Sequence, residues 1–180
     1  MSGRPRCSVY IAASVDGFIA RPDGGLDWLE VVQAEGEDYG YAAFMASVDA
    51  LVMGRGTYDV VAGLETWPYA GKRCVVLTHR PPERPCADET FFTGPVAELA
   101  ARLGAEGVGH VYVDGGDVIR QWLAAGLLDD LTISWIPTVL GAGIPLFGAL
   151  LAETPLRLVE SRSWPTGLVQ ARYALGATGR

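Results

Sequence analysis

The chain has 180 residues, the usual size of one domain. A chain of that length buries roughly 70% of its unfolded surface, so it needs no disulfide or structural metal to fold. At 49% hydrophobic and 19% charged residues it is not disordered, and its net charge of −7 repels the phosphates of nucleic acid and anionic membranes. The three cysteines, Cys7, Cys74 and Cys86, show no short spacing, and His79 and His110 match no metal-ligand pattern. No secreted disulfide framework and no metal site is therefore expected. The short polar start, Met1 to Arg6, has no signal-peptide character, and no run of 18 apolar residues spans a membrane. A cytoplasmic protein is expected.

Residues 7–14 (CSVYIAAS) read as a buried strand that stops at Asp16-Gly17, and Phe18, Ile19 and Ala20 continue it briefly. Residues 21–25 (RPDGG) are loop by composition. Residues 35–48 carry Tyr41, Phe44, Met45 and Val48 at helical spacing, behind an acidic cluster of Glu35, Glu37 and Asp38 that suits a helix N-terminus. A second buried strand at 50–53 meets Gly54-Arg55-Gly56, and a short helix follows at 57–61. Residues 73–77 are a third strand, the three prolines within 80–85 enforce a loop, and 96–103 are helical. A strand at 110–113 runs through Asp114-Gly115-Gly116-Asp117 into a helix at 118–125. Strands at 131–136, 157–161 and 168–175 complete the chain.

Strand and helix alternate, then strands alone follow. This order predicts an α/β fold: a mixed sheet, mostly parallel, with helices on both faces and an antiparallel C-terminal edge. No linker, repeat or low-complexity tract divides it, so residues 1–180 are expected to form one domain.

Ligands of open α/β sheets bind beyond the carboxyl ends of the strands. Two segments have the strand–glycine–helix form required there. In Met53-Gly54-Arg55-Gly56-Thr57 the glycines admit a close backbone approach and the helix start offers unpaired amides to an anion. Thr57 either caps that helix or bonds a phosphate, and Arg55 is either a phosphate partner or a surface arginine. In Asp114-Gly115-Gly116-Asp117-Val118 the paired glycines form either a pyrophosphate cradle or a tight turn. Asp114 and Asp117 repel a phosphate, so backbone amides must bind it, and Asp117 is a helix cap or a ligand contact. Neither segment is G-x-G-x-x-G or G-x-x-x-x-G-K-[ST], and no G-x-S-x-G occurs. The usual dinucleotide fold, a P-loop NTPase and a hydrolase elbow are excluded.

The runs IAASVDGFIA (11–20), VDALVMGRGTYD (48–59), CVVLTHRP (74–81) and VYVDGGDVIRQWLAAGLLDDLTISWIPTVLGAGIPLF (111–147) resemble the dihydrofolate reductase fold. More narrowly they resemble the RibD C-terminal-domain family of riboflavin-biosynthesis reductases and stand-alone dihydrofolate-reductase-like proteins. The resemblance runs from about Arg6 to Leu175. It implies NADPH. Ala13, Ile19 and Ala20 would line the nicotinamide, while Gly54, Arg55, Gly56 and Thr57 would hold phosphates and ribose. Leu77 and Thr78 would flank the adenosine, with Arg80 or His79 near a 2′-phosphate. Gly115, Gly116, Asp117, Val118 and Ile119 would cradle the pyrophosphate. The apolar members of this set are equally suited to the core.

On the substrate side, dihydrofolate reductases place a carboxylate on the helix before the Met-Gly-Arg strand. Asp38, 16 residues before Gly54, takes that position by counting, and Asp27 in the LDWL run is the second candidate. Trp28 resembles the tryptophan at the mouth of the reductase site, as either a lid or a core residue, and Tyr41 is the further substrate-side candidate. The Met-Pro-Trp-Asn run of true dihydrofolate reductases is missing, which points away from folate. No attached deaminase domain is expected, which points away from riboflavin biosynthesis itself.

The resemblance implies an NADPH-dependent reductase that delivers hydride to a C=N or C=O of a small heterocyclic or ribityl-type substrate, like the 5-amino-6-(5-phosphoribosylamino)uracil reductases. A proton donor in such a site needs a pKa raised by burial. The rival readings are a non-catalytic small-molecule or nucleotide-binding protein that kept the fold, and a nucleotide-dependent transferase using the same cradle. A homodimer is expected, because strands 131–136 and 168–175 are apolar and are read as lying at a sheet edge.

Overall fold

The structure, a computed structural model, describes residues 3–149 and 152–176. Met1 and the last residues of the expected 1–180 domain lie outside the described residues. The elements, in chain order, are β1 (Arg6–Ser14), β2 (Phe18–Ala20), a 3₁₀ helix (Asp27–Val32), α1 (Tyr41–Ser47), β3 (Ala50–Gly54), α2 (Arg55–Ala62), β4 (Arg73–Leu77) and β5 (Thr90–Phe92). There follow α3 (Val96–Ala105), β6 (His110–Asp114), α4 (Gly116–Ala124), β7 (Asp130–Ile136), β8 (Ile144–Pro145), β9 (Arg157–Ser163) and β10 (Val169–Ala174).

Eight strands form one sheet in the order β5-β4-β3-β6-β1-β7-β10-β9. From β5 through β7 every neighbouring pair is parallel, and β10 pairs antiparallel with both β7 and β9. The small β2–β8 ladder stands apart. This is the expected mixed sheet with an antiparallel C-terminal edge.

The central strands read as unbroken apolar runs because both their faces are covered. Along β3, Val52 packs with α3 and α4, through Leu99, Leu103, Val118, Ile119 and Trp122. Its neighbours Leu51 and Met53 pack on the opposite face with Tyr58 and Val61 of α2. A third cluster of Trp28, Val32, Ile136 and Leu168 covers that second face further along, under the 3₁₀ helix. Helices on both faces follow from this alternation.

Two expectations are corrected here. The helix expected over 35–48 is only Tyr41–Ser47. Gly36, Tyr39 and Gly40 take positive φ, and the Asp38 carboxylate accepts the Gly40 and Ala42 amides, which fixes a turn where the helix would have begun. Neither strand expected at an edge lies there: β7, at 131–136, lies between β1 and β10, and β10, within 168–175, lies between β7 and β9, which takes the outer place. All seven residues of β9 are exposed, Leu158 and Val159 among them.

The chain leaves β3 through α2 on one face to reach β4, and leaves β6 through α4 on the other face to reach β7. Since β3 and β6 are neighbours, the connections diverge between them. That divergence opens a crevice at their carboxyl ends, the place where open α/β sheets bind ligands.

Candidate functional site

Two glycine turns meet in this crevice. Gly54 precedes α2 and Gly115 precedes α4, and neither helix start is closed by a side-chain cap. The first-turn amides of both helices therefore remain available to an anion. Gly115 has φ +91°, and a Cβ there would overlap the Thr57 hydroxyl. A Cβ on Gly116 would stand 2.8 Å from the Pro145 carbonyl, and one on Gly54 3.2 Å from Val118 Cγ2. Only hydrogen side chains let the two turns and the β2–β8 ladder approach so closely.

The crevice has a volume of about 890 Å³. Of the residues singled out for the cofactor, Ile19, Ala20, Gly54, Arg55, Gly56, Thr57, Leu77, Thr78, Gly115, Gly116, Asp117 and Val118 line it, with His79 beside them. Ala13 and Ile119 do not. Ala13 is fully buried in the core beneath α3 and α4, Ile119 is the α4 residue buried in that same core, and it is Ile11 and Ala12 of β1 that face the crevice. Arg80 stands just behind the wall: Arg55 donates one guanidinium N–H to the Arg80 carbonyl and another to Asp59 Oδ1 at 2.7 Å. The Thr78 hydroxyl accepts the Arg80 amide at 3.0 Å, so Arg55, Thr78 and Arg80 share one end of the crevice. At the other end Arg120 pairs with Asp117 and donates to the Pro145 carbonyl at 3.1 Å.

A second cavity of about 600 Å³ opens on the face of the sheet that carries Tyr10. It lies beside the crevice, and Tyr10, Ile11, Ala12 and Leu29 wall both. Tyr41 and Asp38 line this second cavity. Asp27 and Trp28 line neither. Trp28 is core, 3% exposed, and its indole N–H finds no partner among the described residues.

Neither carboxylate singled out as proton donor meets the burial condition set for one. The Arg21 guanidinium, at 2.7 Å, holds the exposed Asp27 below the usual carboxylate range. The Ala42 and Gly40 amides do the same for exposed Asp38. Asp27→Asn and Asp38→Asn are accordingly expected to change turnover by no more than about threefold, well short of the ~10²-fold minimum for a lost general acid. Steady-state kinetics on the two variants checks this.

One carboxylate does meet the condition. Asp114, the last residue of β6, lines the crevice, and burial pushes its pKa up to about 6 against the pull of the Gly115 amide and the Tyr112 hydroxyl. The phenols of Tyr112, Tyr69 and Tyr41 are held above their ordinary range by burial and by the charge on Asp114. A carboxylate closing the apolar run HVYV is the only signal in the sequence; Tyr112 belongs to that run, while Tyr41 and Tyr69 come from distant segments.

Comparison with known proteins agrees with this fold. The RibD C-terminal domain family matches residues 5–170. The uncharacterized protein YwjB of Bacillus subtilis (strain 168) is 40% identical over 167 residues, covering 92% of this chain and 95% of its own. A solved protein of Shewanella sp. PV-4, provisionally assigned to riboflavin biosynthesis, is 36% identical with a TM-score of 0.89, over 96% of this chain and 99% of its own. Dihydrofolate reductase from Enterococcus faecalis, solved with NADP(H), superposes with a TM-score of 0.69 at 16% identity, over 96% of this chain and 97% of its own, a likeness of fold. The chain belongs to the RibD C-terminal domain family, and its architecture is dihydrofolate-reductase-like. Among the described residues, no helix is long and apolar enough to cross a membrane.

Proposed function

We propose that the protein is an NADPH-dependent reductase, acting as one cytoplasmic domain, that passes hydride to a C=N or C=O carbon of a small heterocyclic or ribityl-type substrate. The observation that carries this reading is the meeting of two uncapped helix starts across Gly54 and Gly115, a gap that one Cβ would close. A pyrophosphate is what such a pair of amide clusters suits. Residues Gly54 to Thr57 and Gly115 to Val118 would hold it, Leu77 and Thr78 would bound the adenosine, and Arg55 with Arg80 would face the 2′-phosphate. NADPH bound there supplies the hydride.

The chain's own residues supply position and a proton. Ile11 and Ala12, the wall common to both cavities, set where nicotinamide and substrate would meet. The Asp114 carboxyl, kept partly protonated near neutral pH by burial, would hold the proton that balances the hydride. Its place at the carboxyl end of β6 puts it on the crevice wall beside the glycine turn.

Arg55→Ala tests the cofactor assignment. A guanidinium–phosphate pair is worth about 1.5–3 kcal/mol, so NADPH affinity should fall about tenfold or more while NADH affinity changes little. Equal losses for the two would move Arg55 to the pyrophosphate. The expected homodimer now rests on β9, where Leu158 is 53% exposed and Val159 40% on an unpaired edge. Light scattering is expected to give twice the chain mass at micromolar concentration, and a monomer would remove a second copy from that edge.

A further inference from the structure

The second cavity carries an inference about substrate class, which rests on the reductase reading for the role of the bound ring. Its floor is Ala12, Ser134 and Ile136, its walls are tyrosines, and its rim is Glu35, Glu37 and Asp38. Hydrogen bonds tie its walls together. Tyr39, at φ +56°, spans it: its hydroxyl donates to the Val32 carbonyl and meets Thr166 Oγ1 at 3.1 Å, while its carbonyl accepts the Tyr10 hydroxyl and, at 3.1 Å, Gln170 Nε2. Ser134, 6% exposed, accepts Gln170 Nε2 at 3.0 Å.

No Lys, Arg or His is among the described residues that line this cavity. The basic groups on the same sheet face stand further out. Across the ladder Ala12 faces Ser134, then Gln170, then Arg162, and Tyr10 faces Thr132, then Arg172. Arg162 and Arg172 are both paired with Glu160, at 2.6 and 3.8 Å. The backbone amides that could have received an anion, those of Gly40 and Ala42, are taken by the Asp38 carboxylate at 2.9 Å each. Recognition of a phosphate needs a guanidinium, an ammonium or free amides. This cavity offers acceptors and carboxylates in their place, and a phosphate brought into it meets like charge.

We infer that the cavity seats a planar ring bearing no anionic group, neutral or cationic at neutral pH, and rejects the phosphoribosyl-type substrates that the family resemblance implies. Tyr10 and Tyr41, with ring centroids 5.9 Å apart, supply flat apolar surface, and the rim carboxylates favour amino substituents. The Glu35 side chain makes no hydrogen bond to another described residue and so is left for a ligand donor.

The test is calorimetric titration of the whole protein with 5-amino-6-ribitylaminouracil and with its 5′-phosphate, with NADPH binding followed separately by fluorescence. The unphosphorylated compound should bind at least about tenfold more tightly, and Glu35→Lys should narrow or reverse the gap by about tenfold. Equal affinity, preference for the phosphate, or binding of neither compound overturns the inference. Failure of NADPH to bind while the preference holds overturns the reductase reading instead and leaves the cavity's selectivity standing.

Discussion

Replacing Gly115 by alanine should lower NADPH affinity by about 100-fold or more while the far-ultraviolet circular dichroism stays native. Two costs add at this position. The backbone sits at φ +91°, which for a residue with a Cβ costs about 1–2 kcal/mol, and that Cβ would overlap the Thr57 hydroxyl. To make room the α4 turn must move away from the α2 turn, and the converging amides are spread. Gly126→Ala is the control: φ is +64° there too, but nothing lies within 4 Å, so only the backbone cost applies. The double variant Gly115→Ala with Thr57→Ala removes the overlapping hydroxyl and should recover part of the stability lost by the single one. A Gly115→Ala protein that binds NADPH like the parent would show that the two turns do not jointly form the site.

Asp114→Asn should separate activity from stability. Turnover should fall about 10²–10⁴-fold, the range of a lost general acid, with NADPH affinity nearly unchanged. The parent's hydride step should decline above pH 6, where the raised carboxyl loses its proton. The stability change has the opposite sign. A carboxyl whose folded pKa lies above its ordinary 3.8 contributes stability in full below about pH 4, and loses it as pH rises through about 6. Asparagine carries no charge to desolvate. The variant should therefore be about 1–3 kcal/mol more stable than the parent at pH 8 and no more stable at pH 4, as denaturant melts at the two pH values would show. A variant less stable at pH 8 would mean that the Gly115 amide and the Tyr112 hydroxyl outweigh burial.

How much of this was legible in the sequence follows from what each element depends on. The strands β1, β3, β4 and β6 show as apolar runs because both faces are buried, and the same double burial hides which side chain faces which way. Hence Ala13 reads as a cofactor contact, whereas Ile11 on its own face and Ala12 on the other both line the crevice and Ala13 lies wholly in the core. The glycine turns were legible because close approach needs glycine wherever it occurs. α1 was overextended because the helical spacing of Tyr41, Phe44 and Met45 says nothing of the Asp38 turn that starts it late. The two-residue β8 and three-residue β5 are too short to leave a period. Ile119 looked like a cradle residue beside Val118, yet one step around α4 turns it into the core.

The carboxylates were hardest to read, because their behaviour belongs to their partners. Asp27 is claimed by Arg21 six residues earlier, and Asp38 by its own turn. Asp114 owes its raised pKa to burial, and the fold brings Tyr41 and Tyr69 from other segments within reach of its charge, beside Tyr112 of its own strand.

The most direct test of the central claim is a titration of the whole protein with NADPH, followed by nicotinamide fluorescence and repeated with NADH. Saturable binding of one cofactor per chain, with a Kd on the order of micromolar, is predicted. NADH should bind more weakly, and Gly115→Ala should lose the signal. Absence of saturable binding at about millimolar NADPH, or binding that Gly115→Ala leaves intact, would contradict it.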